Sequence, residues 1–572
     1  MPLIDIRNVT WRYGEDLEPA LRDVSLAVNA GEFLGIMGAT GAGKSSLAQA
    51  IRGIIPSFHE EGVFEGEVVV DGVNVTGSDA QHTAREIGMV FQDASSQIIG
   101  TTVLQDVTFG PANLGLDRGT ILERSRAYLS RVRLAGREQR ASSALSGGQI
   151  QRLAIAGVLA MEPGVLVLDE PVAELDPVGR REVCEILEEL KSAGKATVVL
   201  IEQDPELISH FADRVAIMAH GRIELVGTPR EVFRQADACL ALGVYPPEAA
   251  LLSEAISSST VALTAPELLE SITLDARAAL PAPAARPSPE QGEVVLELRD
   301  LSFAYKADEW VVNKANLQVR SGEYLAIVGS NGAGKTTLVK HLNGLRRPTV
   351  GTVLVNGRDI AKRETADIAQ EVGFCFQNPD HQIFASTVLE EAAFGLTCRG
   401  VSPDEARPQA LEMLKRFGIG DLTDANPHSL GKGQRQKIAL ASIVVLEPKI
   451  LVIDEPTTGL DWAECQQILD IIDTIRDGGT TVVAVTHDMR LVRERASRAV
   501  AMSRGEIIYD GGSAEFFSED ELMRRADVEP TTLSVLTREI AASIGVDVAA
   551  MPVSVADFVR QYGPALTQGK VA

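Results

Sequence analysis

The stretch GATGAGKSS at residues 38–46 recurs as GSNGAGKTT at 329–337. In each place an apolar run, EFLGIM (32–37) or EYLAIV (323–328), leads straight into it, and a helical pattern follows. Strand, glycine-rich turn and helix in that order form the context a phosphate-cradling loop requires. The glycines let backbone N–H groups converge on phosphate oxygens, and the helix N-terminus adds to the field. The expected nucleotide-binding residues of the first copy are Gly38, Gly41, Gly43, Lys44, Ser45 and Ser46. In the second copy they are Gly329, Asn331, Gly332, Gly334, Lys335, Thr336 and Thr337. Lys44 and Lys335 are expected to reach the β- and γ-phosphates, and the Ser45 and Thr336 hydroxyls to hold Mg²⁺.

Downstream, LVLDEPVAELD (166–176) recurs as LVIDEPTTGLD (451–461). The separation is 291 residues from Lys44 to Lys335 and 285 from Asp169 to Asp454, so two copies of one domain lie head to tail. Each apolar run ends in two acids with distinct expected roles. Asp169 or Asp454 holds Mg²⁺ through water, and Glu170 or Glu455 activates the attacking water as general base.

The rest of the 572 residues fits around this repeat. The expected boundaries are a first domain at 1–240 with a tail at 241–275, a linker at 276–292, a second domain at 293–525 and its tail at 526–572. The linker, ARAALPAPAARPSPEQG, is rich in Ala and Pro. At ~3.1 Å per residue a polyproline-like chain of that length spans roughly 50 Å, enough for two similar domains to face each other. Both tails read as a proline turn, an amphipathic helix and a second short helix entered through Thr or Ser. Lys+Arg total 54 against 79 Asp+Glu, a formal charge of −25, which argues against nucleic acid as a partner. The five cysteines are scattered without a CxxC pair, which suits a reducing cytosol and excludes a zinc module. No run approaches the ~18 apolar residues of a membrane span, and MPLIDIRNVT lacks the pattern of a signal peptide. Any membrane role must then come through partners.

LSGGQIQRLAIA (145–156), just upstream of the first Asp-Glu run, resembles the signature motif of ABC-type ATPases. The resemblance covers nearly the whole chain and implies an α/β fold of two P-loop nucleotide-binding domains in tandem, each with a helical signature subdomain and a small C-terminal tail. It implies ATP and Mg²⁺ as ligands and further roles for residues that match the family in order. Tyr13 and Tyr305 stack on adenine. Gln92 in MVFQD and Gln377 in FCFQN are Q-loop residues reaching the cation and the catalytic centre. Asp176 and Asp461 belong to D-loops. His487 in VAVTHD is the switch histidine at the γ-phosphate. Ser146, Gly147, Gly148 and Gln149 face the nucleotide of the opposite copy, since the family binds ATP between two domains arranged head to tail.

Under that pairing the copies' departures fall in one site. The second signature reads LGKGQ (430–434), with Gly431 for the serine and Lys432 for a glycine, and the first switch segment reads LIEQD (200–204), with Gln203 for the histidine. The first P-loop and second signature therefore form a degenerate site that binds ATP without fast turnover, with Lys432 adding positive charge near the phosphates. The other site keeps Lys335, Thr336, Gln377, Asp454, Glu455 and His487 opposite an intact signature.

Three readings of the work done by ATP compete. FQNPDHQIFASTVLEEAAFG (376–395), its looser copy FQDASSQIIGTTVLQDVTFG (91–110), and the paired tails are similar to the ATPases of energy-coupling-factor importers. That resemblance implies an integral membrane coupling subunit, a separate membrane substrate-capture subunit, a place on the cytoplasmic face of the cell membrane, and import of a vitamin or transition-metal ion. Asp93-Ala94-Ser95 departs from the usual Asn-Pro-Asp in the first copy. The second reading is the fused ATPase of a sugar- or peptide-type importer, against which the tails and the post-Q-loop segment argue. The third is a tandem ABC protein acting on ribosomes, against which the Ala/Pro linker and the acidic charge argue.

Overall fold

In the computed structural model, residues 2–59, 61–77, 80–172, 175, 177–194, 196–256, 260–272, 280, 292–306 and 309–568 are described. The chain divides into two compact units, Met1–Ser271 and Ile272–Ala572. The linker reading, apart from residues 280 and 292, and the D-loop residue Asp176 lie outside the described residues.

In the first unit the strand Phe33–Gly38 sits inside a six-stranded sheet, parallel to Thr197–Ile201 on one side and Arg214–Ala219 on the other. Val165–Asp169 and Ile87–Val90 continue the parallel order, and Arg222–Gly227 closes the far edge antiparallel. The strand is apolar on both faces because both are covered, as parallel sheets require. Phe33 and Met37 pack with the helices on one side, and Leu34 and Ile36 pack on the other against the helix Lys44–Arg52. The second unit repeats this arrangement. Tyr324–Val328 lies between Thr481–Val485 and Arg498–Ser503, with Ile450–Asp454 and Val372–Cys375 beyond.

Each unit also has a four-stranded sheet that the sequence patterns did not separate from the parallel one. Ile4–Arg12 pairs antiparallel with Leu21–Val28 and Val63–Val70; in the second unit Val294–Ala304 pairs with Trp310–Arg320 and Val350–Val355. These strands alternate buried and exposed residues, as a sheet with one covered face does. Ile4, Ile6 and Trp11 join the same core as Leu47 and Ile51, so this sheet roofs the helix that follows the P-loop.

A second layer of helices carries the signature: Val103–Asn113, Arg118–Arg131 and Gly147–Leu159 in the first unit, and Val388–Cys398, Pro403–Arg416 and Lys432–Val444 in the second. The tails contain Glu248–Ala255 and Ala265–Ser271, then Thr532–Ile544 and Val555–Gln568; the last of these, at 14 residues, is longer than its pattern suggested. Of the cysteines, Cys239, Cys375 and Cys465 are buried, Cys184 is partly covered and Cys398 is exposed.

Candidate functional site

Both P-loops turn at the C-terminal end of a central strand, where open α/β sheets place their ligands. Gly38 and Gly329 leave the strand at φ 153° and 139°, and a Cβ there would stand 2.2 Å from the carbonyl oxygen of Met218 or Met502. No other residue fits that approach. The helices then start on the lysines, Lys44–Arg52 and Lys335–Leu342. Lys44 Nζ curls back to donate to the carbonyls of Gly38 and Ala39 at 2.7 and 2.9 Å, and Lys335 to those of Gly329 and Ser330 at 2.6 and 3.0 Å. Each buried ammonium is thereby fixed over its own loop.

Asp169 and Asp454 end the neighbouring strands. Burial pushes each carboxyl up to about 6, opposed by the hydroxyl of Ser45 or Thr336 and raised further by the adjoining Glu. In both, Oδ1 is buried without a hydrogen-bond partner. A shielded carboxylate oxygen next to a Ser or Thr hydroxyl fits a small hard cation, which takes one or two carboxylates and completes its shell with water and phosphate. Among the described residues no group of three or more His, Cys, Asp or Glu is placed to hold a metal alone.

Glu170 and Glu455 follow at φ 48° and 51°, left-handed values uncommon for Glu. The two carboxylates differ in company. Glu170 accepts from two amides, Gln92 Nε2 at 2.7 Å and Gln203 Nε2 at 2.9 Å. Glu455 accepts from Gln377 Nε2 at 3.1 Å and Thr458 Oγ1 at 2.9 Å, and His487 Nδ1 stands 3.3 Å away. Burial opposes the charge on Glu455, but His487, Thr458 and Lys335 outweigh it and hold this carboxyl below the usual range. Burial likewise opposes charge on His487, and Glu455 overcomes it, raising the imidazole above its ordinary value.

The aromatic platforms stand beside the loops. Tyr13 and Tyr305 are half exposed, and their hydroxyls lie 3.0 Å from Ser46 Oγ and 3.3 Å from Thr337 Oγ1. Tyr13 meets Trp11 and His59 edge-on, whereas the Tyr305 ring has Phe303 at its edge and the Arg346 guanidinium 5.2 Å from its centroid.

Ser146 sits at the N-cap of its signature helix, where Gln149 Oε1 accepts from its backbone N–H at 3.3 Å and the Ser146 side chain is exposed. Gly147 is exposed with open space where a Cβ would be, and Gly148 follows on the first turn. Gly431 and Gln434 reproduce this cap without the hydroxyl. The Lys432 ammonium lies over Gly459 of its own unit, 2.5 Å from where a Cβ would stand. A glycine at 459 leaves the groove that the lysine stem occupies.

Several contributors escaped the motifs. Thr458 is one, since only the folded turn brings its hydroxyl to Glu455. Asp106 and Glu391, at equivalent places, are others. Asp106 Oδ1 accepts from the N–H groups of Ile99 and Gly100, and Glu391 Oε2 from those of Phe384 and Ala385, at 2.8–2.9 Å. They hold the post-Q-loop turns so that Ile99 and Phe384 face outward at 64% and 62% exposure, each with a partly exposed phenylalanine in the following helix, Phe109 or Phe394. Phe384 and Phe394 touch edge-on at 4.5 Å.

The ABC transporter family model matches residues 21–173 and 312–458. A provisionally named ABC transporter ATP-binding protein of Caldanaerobacter subterraneus subsp. tengcongensis is 37% identical over 548 residues, covering 94% of this chain and 96% of that protein. Another, of Methanosarcina acetivorans, is 36% identical over 566 residues, 96% of this chain and 92% of that protein. Among solved structures, cbiO1 from Clostridium perfringens, part of the ABC transporter complex cbiONQ, is 31% identical with a TM-score of 0.38, covering 43% of this chain and 98% of that one.

Proposed function

This chain belongs to the ABC transporter family and is an ATP-hydrolysing enzyme, and from that premise we propose that it is the fused ATPase of an energy-coupling-factor importer for a vitamin or other micronutrient. The observation that carries the reading is the outward Phe384–Phe394 pair after the second Q-loop, with Ile99 and Phe109 each exposed at the equivalent positions of the first unit. Exposed apolar side chains clustered this way mark a place for a partner, and here they adjoin the glutamine that touches the catalytic carboxylate. A membrane coupling subunit seated there would feel nucleotide turnover through Gln92 or Gln377. Among the described residues no helix is long and apolar enough to cross a membrane. In this reading the chain works on the cytoplasmic face, bound to a coupling subunit and, through it, to a substrate-capture subunit.

ATP binding pairs the halves head to tail, and hydrolysis separates them. Lys335 holds the phosphates, Glu455 takes the proton of the attacking water, and His487 and Gln377 keep Glu455 oriented. Thr336, Asp454 and Gln377 would hold Mg²⁺, which would supply neutralisation of phosphate charge. In the first site Ser45, Asp169 and Gln92 would do the same, but Gln203 replaces the histidine and Gly431 the signature hydroxyl, so this site holds ATP and turns it over slowly. The test is retention of the chain on co-expressed membranes. The unaltered chain is expected to co-purify in detergent with integral membrane proteins. Phe384→Asp with Phe394→Asp is expected to lose them while its ATP binding persists. Co-sedimentation with ribosomes instead would overturn the reading.

A further inference from the structure

Beside the Glu170 carboxylate lies a second acid that the catalytic machinery does not use. Glu202 is 2% exposed and follows the strand Thr197–Ile201 directly, one residue before Gln203. Its two oxygens bond to different segments: Oε1 accepts from the N–H of Val172 at 3.2 Å, and Oε2 from that of Gln203 at 3.1 Å. The first bond reaches the turn that begins with Glu170, and the second reaches the segment whose side chain holds Glu170. Among the described residues, the matching position in the second unit makes no such link. Thr486 stands there, and its hydroxyl accepts only locally, from Asp488 N–H at 3.0 Å.

We infer that Glu202 is a positioning residue of the first nucleotide site: its carboxyl clasps the Glu170 turn to the Gln203 segment, and nucleotide binding there favours its protonated form. The inference rests on the proposed first site as a slow, nucleotide-holding one, and gives that site a physical basis. A switch segment tied to the turn beside it resists the rearrangement that follows loss of the γ-phosphate. In the second site Glu455 joins the turn to the His487 segment, through its N–H on Val485 O and its carboxylate beside His487, and Thr486 supplies no carboxyl for a second tie, so they separate more easily.

The charged groups facing Glu202 are Glu170 from the turn, Asp204 from its own segment and Arg180 from the helix Pro177–Ala193. Burial, reinforced by the first two, pushes this carboxyl up to about 8; the Val172 N–H and Arg180 pull the other way. A phosphate chain brought to the P-loop adds negative charge to the same neighbourhood, so ATP and the Glu202 proton assist one another. By linkage, ATP affinity at the first site is flat between about pH 6 and 8 and falls above pH 8, by up to about tenfold per pH unit for one coupled proton.

The experiment uses the full chain and 8-azido-ATP with Mg²⁺. Photolabelling is followed from pH 6.5 to 9.5, and peptide mapping separates label near Tyr13 from label near Tyr305. In the unaltered chain, first-site label is expected to fall steeply above pH 8. Glu202→Gln is expected to abolish that fall. Glu202→Thr, which copies the second unit, is expected to release first-site nucleotide several-fold faster at every pH; if it fails to fold, the Gln variant still decides. An unchanged pH profile in Glu202→Gln overturns the inference. Equal nucleotide retention at both sites in the unaltered chain would instead defeat the slow-site reading, and the effect of Glu202→Gln would remain measurable.

Discussion

Replacing His487 by Gln would give Glu455 the amide environment that Glu170 already has. The change removes the imidazole that helps hold this carboxylate below its usual range, and removes a group expected at the γ-phosphate. Loss of one such interaction in the transition state costs about 10²–10³ in rate. His487→Gln is therefore expected to lower the turnover of the assembled ATPase by about that factor while ATP binding stays within a few-fold. The aspartates set a pH dependence of their own. Asp169 and Asp454 ionise near 6, and a proton on either competes with the cation. As pH falls below 6, the Mg²⁺ concentration for half-maximal ATP binding should rise, by up to about tenfold per pH unit. A Mg²⁺ titration at pH 5.5 and 7.5 measures it.

At the scale of elements, what holds each tail to its core becomes testable. Arg493, 5% exposed on the helix Met489–Arg495, donates from Nε to Val553 O at 2.7 Å and from Nη1 to Thr531 Oγ1, so it reaches the segments that lead into both helices of the second tail. Hydrogen bonds to a charged group contribute about 1.5–3 kcal/mol each. Arg493→Met is expected to lower the denaturation midpoint of the second unit and to open residues 526–568 to limited proteolysis, with cleavage mapped by mass spectrometry. Sequence periodicity located these helices because a proline turn followed by an amphipathic run is a local signal. It did not reveal Arg493, whose partners lie 38 and 60 residues away. The roofing antiparallel sheet was hidden for a similar reason. Its strands Ile4–Arg12 and Val63–Val70 flank the P-loop in the chain, and only pairing across that gap separates them from the parallel sheet.

At the scale of the whole molecule, the two units have one topology and unequal chemistry. Glu455→Gln in the assembled complex is expected to abolish steady-state ATPase, whereas Glu170→Gln leaves most of it; phosphate release compares them, and equal losses would defeat the asymmetry. The repeat, the P-loops, the Asp-Glu strand ends and the substitutions at Gln203, Gly431 and Lys432 are all properties of short segments, so reading residues in order was enough to find them. What those residues touch is set elsewhere. Gln92 reaches Glu170 across 78 residues, Lys432 lies over Gly459, and Glu202 acquires its burial from the segments folded around it. Local chemistry is written in neighbouring residues because backbone geometry fixes their spacing. Burial, charge state and the company a carboxylate keeps depend on segments brought together only when the sheet assembles.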